Sequence, residues 1–129
     1  MEHLSIHTRS FEFALKIVGL VKLLHNQEKE YIISRQLARS GTAIGALIRE
    51  SKFAESKADF IHKLMVALKE SNETEYWLRL LIGGKYVSEQ EVMPLCKEVN
   101  ELTAILVTIV KKMKANPANP VISDPSKKH

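Results

Sequence analysis

Through four stretches of the chain, apolar residues recur at three- and four-residue steps, the spacing that lines one face of a helix. The first stretch runs from about Ser10 to His25, with Phe11, Ala14, Leu15, Val18, Val21 and Leu24 in step. Phe13, Ile17 and Leu20 widen that face, so this helix is expected to be buried on more than one side. The second runs from about Tyr31 to Phe53, where Ile33, Leu37, Ser40, Ile44, Leu47 and Ile48 share one arc and Arg35, Arg39 and Arg49 oppose it. The third runs from about Ser56 to Tyr86 on a seam of Ile61, Leu64, Leu68, Leu78 and Ile82. The fourth, from about Glu89 to Ala115, carries Val92, Leu95, Val99, Leu102, Leu106, Ile109 and Met113. Four helices with short connections and one apolar face each predict an all-α fold, an antiparallel up-down-up-down four-helix bundle.

Local signals sharpen the ends. Ser56 followed by Asp59, and Ser88 followed by Glu91, read as helix starts, because the serine hydroxyl can accept from a free backbone N–H of the first turn. Gly83-Gly84 suits the end of the third helix. Asn26-Gln27-Glu28-Lys29-Glu30 reads as a polar connection, and Pro94 is expected to kink the fourth helix or delay its start. Gly41 and Gly45, four apart inside the second helix, each cost about 1 kcal/mol against Ala. A closely packed neighbouring backbone would explain them; the other reading is a locally broken helix. Midway along the third helix, Ser71, Asn72 and Glu75 occupy positions where apolar residues are expected. A polar layer of this kind is costly unless its members pair, and it can fix register or partner.

Composition limits the possibilities. The 129 residues are 45% apolar and 26% charged, which suits one ordinary domain. Three of the four prolines fall in the last thirteen residues, which divides the chain into a bundle over 1–115 and a flexible tail over 116–129. The lone Cys96 excludes an internal disulfide framework and a multi-cysteine zinc site. No run is apolar enough to span a bilayer, and the start, Met1 to Ile6, lacks the basic and apolar regions of a signal peptide; a cytoplasmic location is expected.

The net charge of +4 is informative through its location. Residues 1–110 hold fourteen Lys and Arg against fourteen Asp and Glu, so the whole excess lies in 111–129. Within the body, the second helix is basic (Arg35, Arg39, Arg49 and Lys52 against Glu50). The fourth is acidic before Lys111, Lys112 and Lys114. These seven cations are the candidate contacts for nucleic acid or a partner.

Catalytic constellations are missing. Asp59 and His62 make a single Asp-x-x-His, where a di-iron bundle needs two Glu-x-x-His pairs. Cys96 has no histidine near it in sequence, the serines fit no nucleophile elbow, and no glycine-rich phosphate loop occurs. His3 and His7 fall in a stretch expected to fray. The residues point to no enzyme, cofactor, metal or small-molecule substrate.

From Gln36 to Leu81 the residues resemble a known family. The runs are Gln36-Leu37-Ala38-Arg39-Ser40-Gly41-Thr42-Ala43-Ile44-Gly45-Ala46-Leu47-Ile48-Arg49-Glu50, Lys57-Ala58-Asp59-Phe60, and Ala67-Leu68-Lys69-Glu70-Ser71-Asn72-Glu73-Thr74-Glu75-Tyr76-Trp77-Leu78. They are similar to the "four helix bundle protein" family, also called the 23S rRNA intervening-sequence or S23 family. The resemblance implies an up-down monomer that assembles into a barrel-like homopentamer with no known enzymatic activity. The family takes its name from reading frames inside inserts of bacterial 23S rRNA genes. Similar proteins serve as accessory subunits of diversity-generating retroelements, where a basic pentamer binds reverse transcriptase and nucleic acid. Glu50, Glu73 and Glu75 match the family pattern, whereas Leu47 stands where Asn is common, which would alter any polar network joining Asn to those acids.

Two functional expectations follow. One is a homo-oligomeric scaffold that binds RNA, DNA or a nucleic-acid enzyme through basic surfaces. The alternative is a purely protein-interacting assembly module, with helix 2 arginines neutralising helix 4 acids of a neighbour.

Overall fold

A computed structural model describes residues 5–116, so the expected tail lies outside the described residues. Its helices are α1 (Ile6–Leu23), α2 (Ile32–Ser51), α3 (Lys57–Gly83) and α4 (Glu89–Ala115), with a π turn over Leu24–Glu28 after α1. Among the described residues there is no strand, and the fold is all-α.

Each helix starts where a side chain can take up free N–H groups. The Ser5 hydroxyl accepts from the Thr8 amide at 3.1 Å, which starts α1 four residues before the expected Ser10. Ser56 accepts from the Asp59 amide at 3.0 Å, and Ser88 from the Glu91 amide at 3.1 Å. At α2 the cap is unusual. Tyr31 precedes the helix without a side-chain cap bond, and the Glu30 carboxylate instead accepts from Ile32, Ile33 and Ser34 at 3.0, 2.9 and 2.8 Å.

Two expectations about breaks are corrected. The connection starting at Asn26 is not simply loop: the π turn continues through Glu28, and Lys29 at φ 54° reverses the chain. Of the two outcomes expected at Pro94, the later start is excluded: α4 begins at Glu89 under the Ser88 cap and runs on through Pro94. After Gly83-Gly84, the left-handed position falls to Lys85 at φ 68°.

The core seams follow one rule. Buried positions in step are Ser10, Phe13, Ile17 and Leu24; Ser34, Leu37, Gly41, Ile44, Ile48 and Ser51; Leu64, Ala67, Ser71, Thr74, Leu78 and Leu81; Val92, Cys96, Val99, Leu106 and Val110, and buried Ser40 and Leu102 widen the seam. Half-buried Leu20 and Thr103 fill the gaps at steps of three and four. A mean step of 3.5 is the heptad spacing of helices that pack with a slight left-handed supercoil. Many seam residues are small, so the helices approach closely. Each large member, such as Phe13, Ile17 or Leu102, contributes about 1.5–3 kcal/mol by leaving water.

This seam differs from the apolar face read from residue type in every helix: on α2 and α3 the expected Ile33, Leu47, Ile61, Leu68 and Ile82 are only half-buried, and the departure is plainest on α1 and α4. On α1 the core members are Phe13, Ile17 and Leu24, while Phe11, Leu15 and Val18 remain 61%, 56% and 41% exposed. On α4, Cys96 and Val110 are buried, and Leu95, Ile109 and Met113 flank the seam half-buried. α1 meets α4 over fewer residues than it meets α2. Two ion pairs close that side, Arg9 with Glu101 at 2.7 Å and Lys16 with Glu98 at 3.0 Å.

Candidate nucleic-acid interface

The basic residues of α2 do not act as one stripe. Arg35 and Arg49 are separated by fourteen residues, about 21 Å along a helix. Arg35 is exposed and has no carboxylate partner among the described residues. Arg39 reaches α3, where it pairs with Glu70 at 3.1 Å and with Glu73. The bond from Arg39 holds the Glu73 carboxyl below its usual pKa against the opposing effect of burial, and Trp77 Nε1 donates to the same carboxylate at 3.1 Å. The acids of α4 are engaged too, with Glu98 and Glu101 taken by Lys16 and Arg9 of α1. The charge split read from the sequence is therefore met in part inside the subunit: Arg39 alone of the α2 cations pairs, with α3, and Glu98 and Glu101 of α4 pair with α1.

Arg49 and Lys52 have a different setting. They line a cleft of about 480 Å³ between α1 and α2, together with His7, Phe11, Gly45 and Phe53. Among its lining residues there is no carboxylate. Glu50, next in sequence to Arg49, is exposed and pairs with Lys63 at 3.3 Å instead. Burial lowers the pKa of His7, and the charges of Lys52 and Arg49 lower it further. The cleft is thus electropositive with two aromatic walls. His7 belongs to α1 and is half-buried, rather than lying in a frayed end, because the Ser5 cap starts the helix ahead of it.

Glycine sets the depth of this cleft. A Cβ built at Gly45 would meet Ser10 Oγ at 3.3 Å and the Ser10 backbone at 3.4 Å. One built at Gly41 would meet Ile17 Cγ1 and Cγ2 at 3.0 Å. Larger residues at either position would push α1 and α2 apart.

Lys111, Lys112 and Lys114 are exposed on the last turn of α4. Ile109, one turn earlier, shares a second cavity of about 370 Å³ with Ile6, His7, Ile48 and Lys52. The α4 lysines and the α1–α2 cleft accordingly lie at the same end of the molecule.

The polar residues of α3 disperse. Ser71 is buried and bonds Thr103 of α4 at 2.8 Å. Glu75 accepts from Asn100 at 3.1 Å and pairs with Arg79 at 3.0 Å. Asn72 is exposed. Glu50, Glu73 and Glu75 thus have three separate sets of partners, and Leu47 is half-buried against the core. The sequence reading missed Thr74, which is fully buried and bonds the Ser40 hydroxyl at 2.9 Å. It also missed Phe11 and Phe53 as cleft walls; the run Arg49 to Phe53, with cations beside an aromatic, was the available signal.

No cluster of three or more His, Cys, Asp or Glu able to hold a metal occurs among the described residues. His62 is exposed, and burial raises the pKa of the Cys96 thiol. No helix among the described residues is long and apolar enough to cross a membrane.

Comparison with known proteins agrees with the helical architecture. A crystal structure of a protein with unknown function from the S23 ribosomal protein family of Bacteroides thetaiotaomicron is 48% identical. The match covers 83% of this chain and 99% of that one, with a TM-score of 0.82. No curated protein matches the chain. The family model described as 23S rRNA-intervening sequence protein matches residues 2–108. The helices, their order and this match together place the chain in the 23S rRNA-intervening sequence protein family.

Proposed function

We propose that the protein is a non-enzymatic, homo-oligomeric scaffold, a pentamer as the family resemblance implies, that presents basic surfaces to nucleic acid or a nucleic-acid-processing partner. The observation that carries this reading is the exposed pair Leu15 and Val18, neighbours on the outer face of α1 beside the cleft wall Phe11. A run of apolar side chains on one helix face marks an interaction surface, because monomers rarely leave contiguous apolar patches in water. Association through Leu15 and Val18 would bring several copies of the basic end together. Charge repeated around a ring attracts a polyanion far more strongly than +4 on a single chain.

Light scattering tests the assembly. The wild type is expected at the mass of five 14.6 kDa chains, and Leu15→Glu with Val18→Lys at the mass of one. A monomeric wild type would refute the scaffold. Nucleic-acid binding is tested by titration at increasing salt, where phosphate contacts predict affinity that falls steeply. Salt-independent binding would count against those contacts. The alternative, a module that meets only proteins, calls on helix 2 arginines to pair with a neighbour; Arg39 is engaged by Glu70 and Glu73 of its own subunit, which leaves Arg35 for that role.

A further inference from the structure

The α1–α2 cleft has features that a general basic surface does not require. We propose that it is a site for a short single-stranded nucleic-acid segment, with bases stacked on Phe53 and Phe11 and phosphates held by Arg49 and Lys52. This rests on the nucleic-acid reading above and narrows it to one place and one strandedness.

Three observations support the assignment. Phe53 stands just beyond α2, held there by a bond from its amide to the Glu50 carbonyl at 2.9 Å, yet its side chain is 80% exposed. An aromatic ring kept in water beside cations is the arrangement that stacks unpaired bases, since every base offers a π face. The cleft volume, about 480 Å³, lies within the range of small-ligand sites. Finally, Arg49 and Lys52 have no carboxylate partner among the described residues, and the lining adds no acid that would repel phosphate.

The polar groups of the walls favour a nucleic-acid strand over an extended peptide. The Ser10 hydroxyl donates to the His7 carbonyl at 3.2 Å, and Thr42 donates to the Ala38 carbonyl at 2.7 Å. The surrounding backbone is helical, with its amides already bonded. An extended peptide in the cleft would leave its own amides without partners. A phosphodiester linkage has no N–H to satisfy, and the 2′-hydroxyls of an RNA strand can face water at the open cleft; its phosphates meet the cations and its bases the rings. A duplex fits poorly, because its bases are already stacked inside the helix and present no free faces.

The test uses the full chain with labelled oligouridine and a labelled RNA duplex of equal length, followed by fluorescence anisotropy at two salt concentrations. Single strands are expected to bind more tightly. Phe53→Ala should weaken oligouridine binding by about 5- to 140-fold, the loss of one stacking partner, and leave duplex binding unchanged. Phe53→Tyr should retain single-strand affinity. Arg49→Gln with Lys52→Gln should weaken both ligands and flatten the salt dependence. Equal binding of both ligands, or unchanged oligouridine binding by Phe53→Ala, would overturn the cleft assignment while leaving general nucleic-acid binding intact. Absence of salt-dependent binding to either ligand would overturn both readings. A change of oligomer mass in Phe53→Ala would assign the cleft to contact between copies and equally overturn the proposal.

Discussion

Three glycines on α1 and α2 test how closely these helices are packed. In a helix interior, Gly→Ala alone gains about 1 kcal/mol, because alanine loses less backbone freedom on folding. At Gly19 a new Cβ meets nothing within 4 Å, so Gly19→Ala should show that gain nearly whole. At Gly45 the new methyl meets Ser10 at 3.3–3.4 Å, close to ordinary contact, and the gain should be mostly offset. At Gly41 it meets both γ carbons of Ile17 at 3.0 Å. Ile17 is fully buried and β-branched, so it cannot rotate away, and α1 must shift by a few tenths of an ångström. Overpacking of this kind costs about 1–3 kcal/mol, which leaves Gly41→Ala destabilised by up to about 2 kcal/mol. One helix displacement relieves both sites, so Gly41→Ala with Gly45→Ala should lose less than the sum of the two. Urea unfolding followed by far-UV circular dichroism, at one protein concentration, reads these differences as midpoint shifts. A Gly41→Ala protein as stable as Gly19→Ala would refute the claim that close helix approach requires the glycine.

Glu30 and the hydroxyl pairs yield two more expectations. Burial tends to raise the Glu30 pKa, but bonds from Ile33, Ser34 and Ile32 outweigh it and hold the carboxyl below the usual Glu value. A depressed folded pKa means stability that is present above the unfolded value near 4.3 and lost as pH falls through the folded one. Glu30→Gln should therefore cost about 1–3 kcal/mol at neutral pH, with its urea midpoint converging on that of the wild type in acid. A gap that stays constant with pH would exclude the charged cap. Thr74→Val should cost about 1–3 kcal/mol by leaving the buried Ser40 hydroxyl without its partner, and adding Ser40→Ala should recover part of the loss. Strictly additive losses in that double-mutant cycle would show the two hydroxyls to be uncoupled.

Helix number and type were legible because 3.6-residue periodicity and serine caps are local signals. The faces of α1 and α4 were not, and the reason is chemical. Apolar content favoured Phe11, Leu15 and Val18, but the bundle selects a seam by fit, and Ser10 and Gly41 fit where large residues do not. Cys96 displaced Leu95 from the α4 seam in the same way. Thr74 escaped notice because a hydroxyl looks misplaced in a core until its cross-helix partner is known. Pairing of charges was equally non-local: Arg39 finds its acids more than thirty residues away on α3. The cleft needed both ends of α1 and α2 in register, which no spacing within either helix specifies.

The mounting of α1 ties assembly to folding. Its most extensive contact is with α2, whereas towards α4 the shared core is narrower and is edged by two ion pairs that salt screens and that are worth little each. A helix held on one side is the part of a small bundle that opens at the lowest free energy. In the proposed oligomer, neighbouring copies cover the outer stripe of that same helix, so each association event stabilises the folded state by mass action. Dilution would then lower the protection of α1 amides against hydrogen exchange before it affected α3. The final step of folding and the first step of assembly become one equilibrium, set by protein concentration and ionic strength.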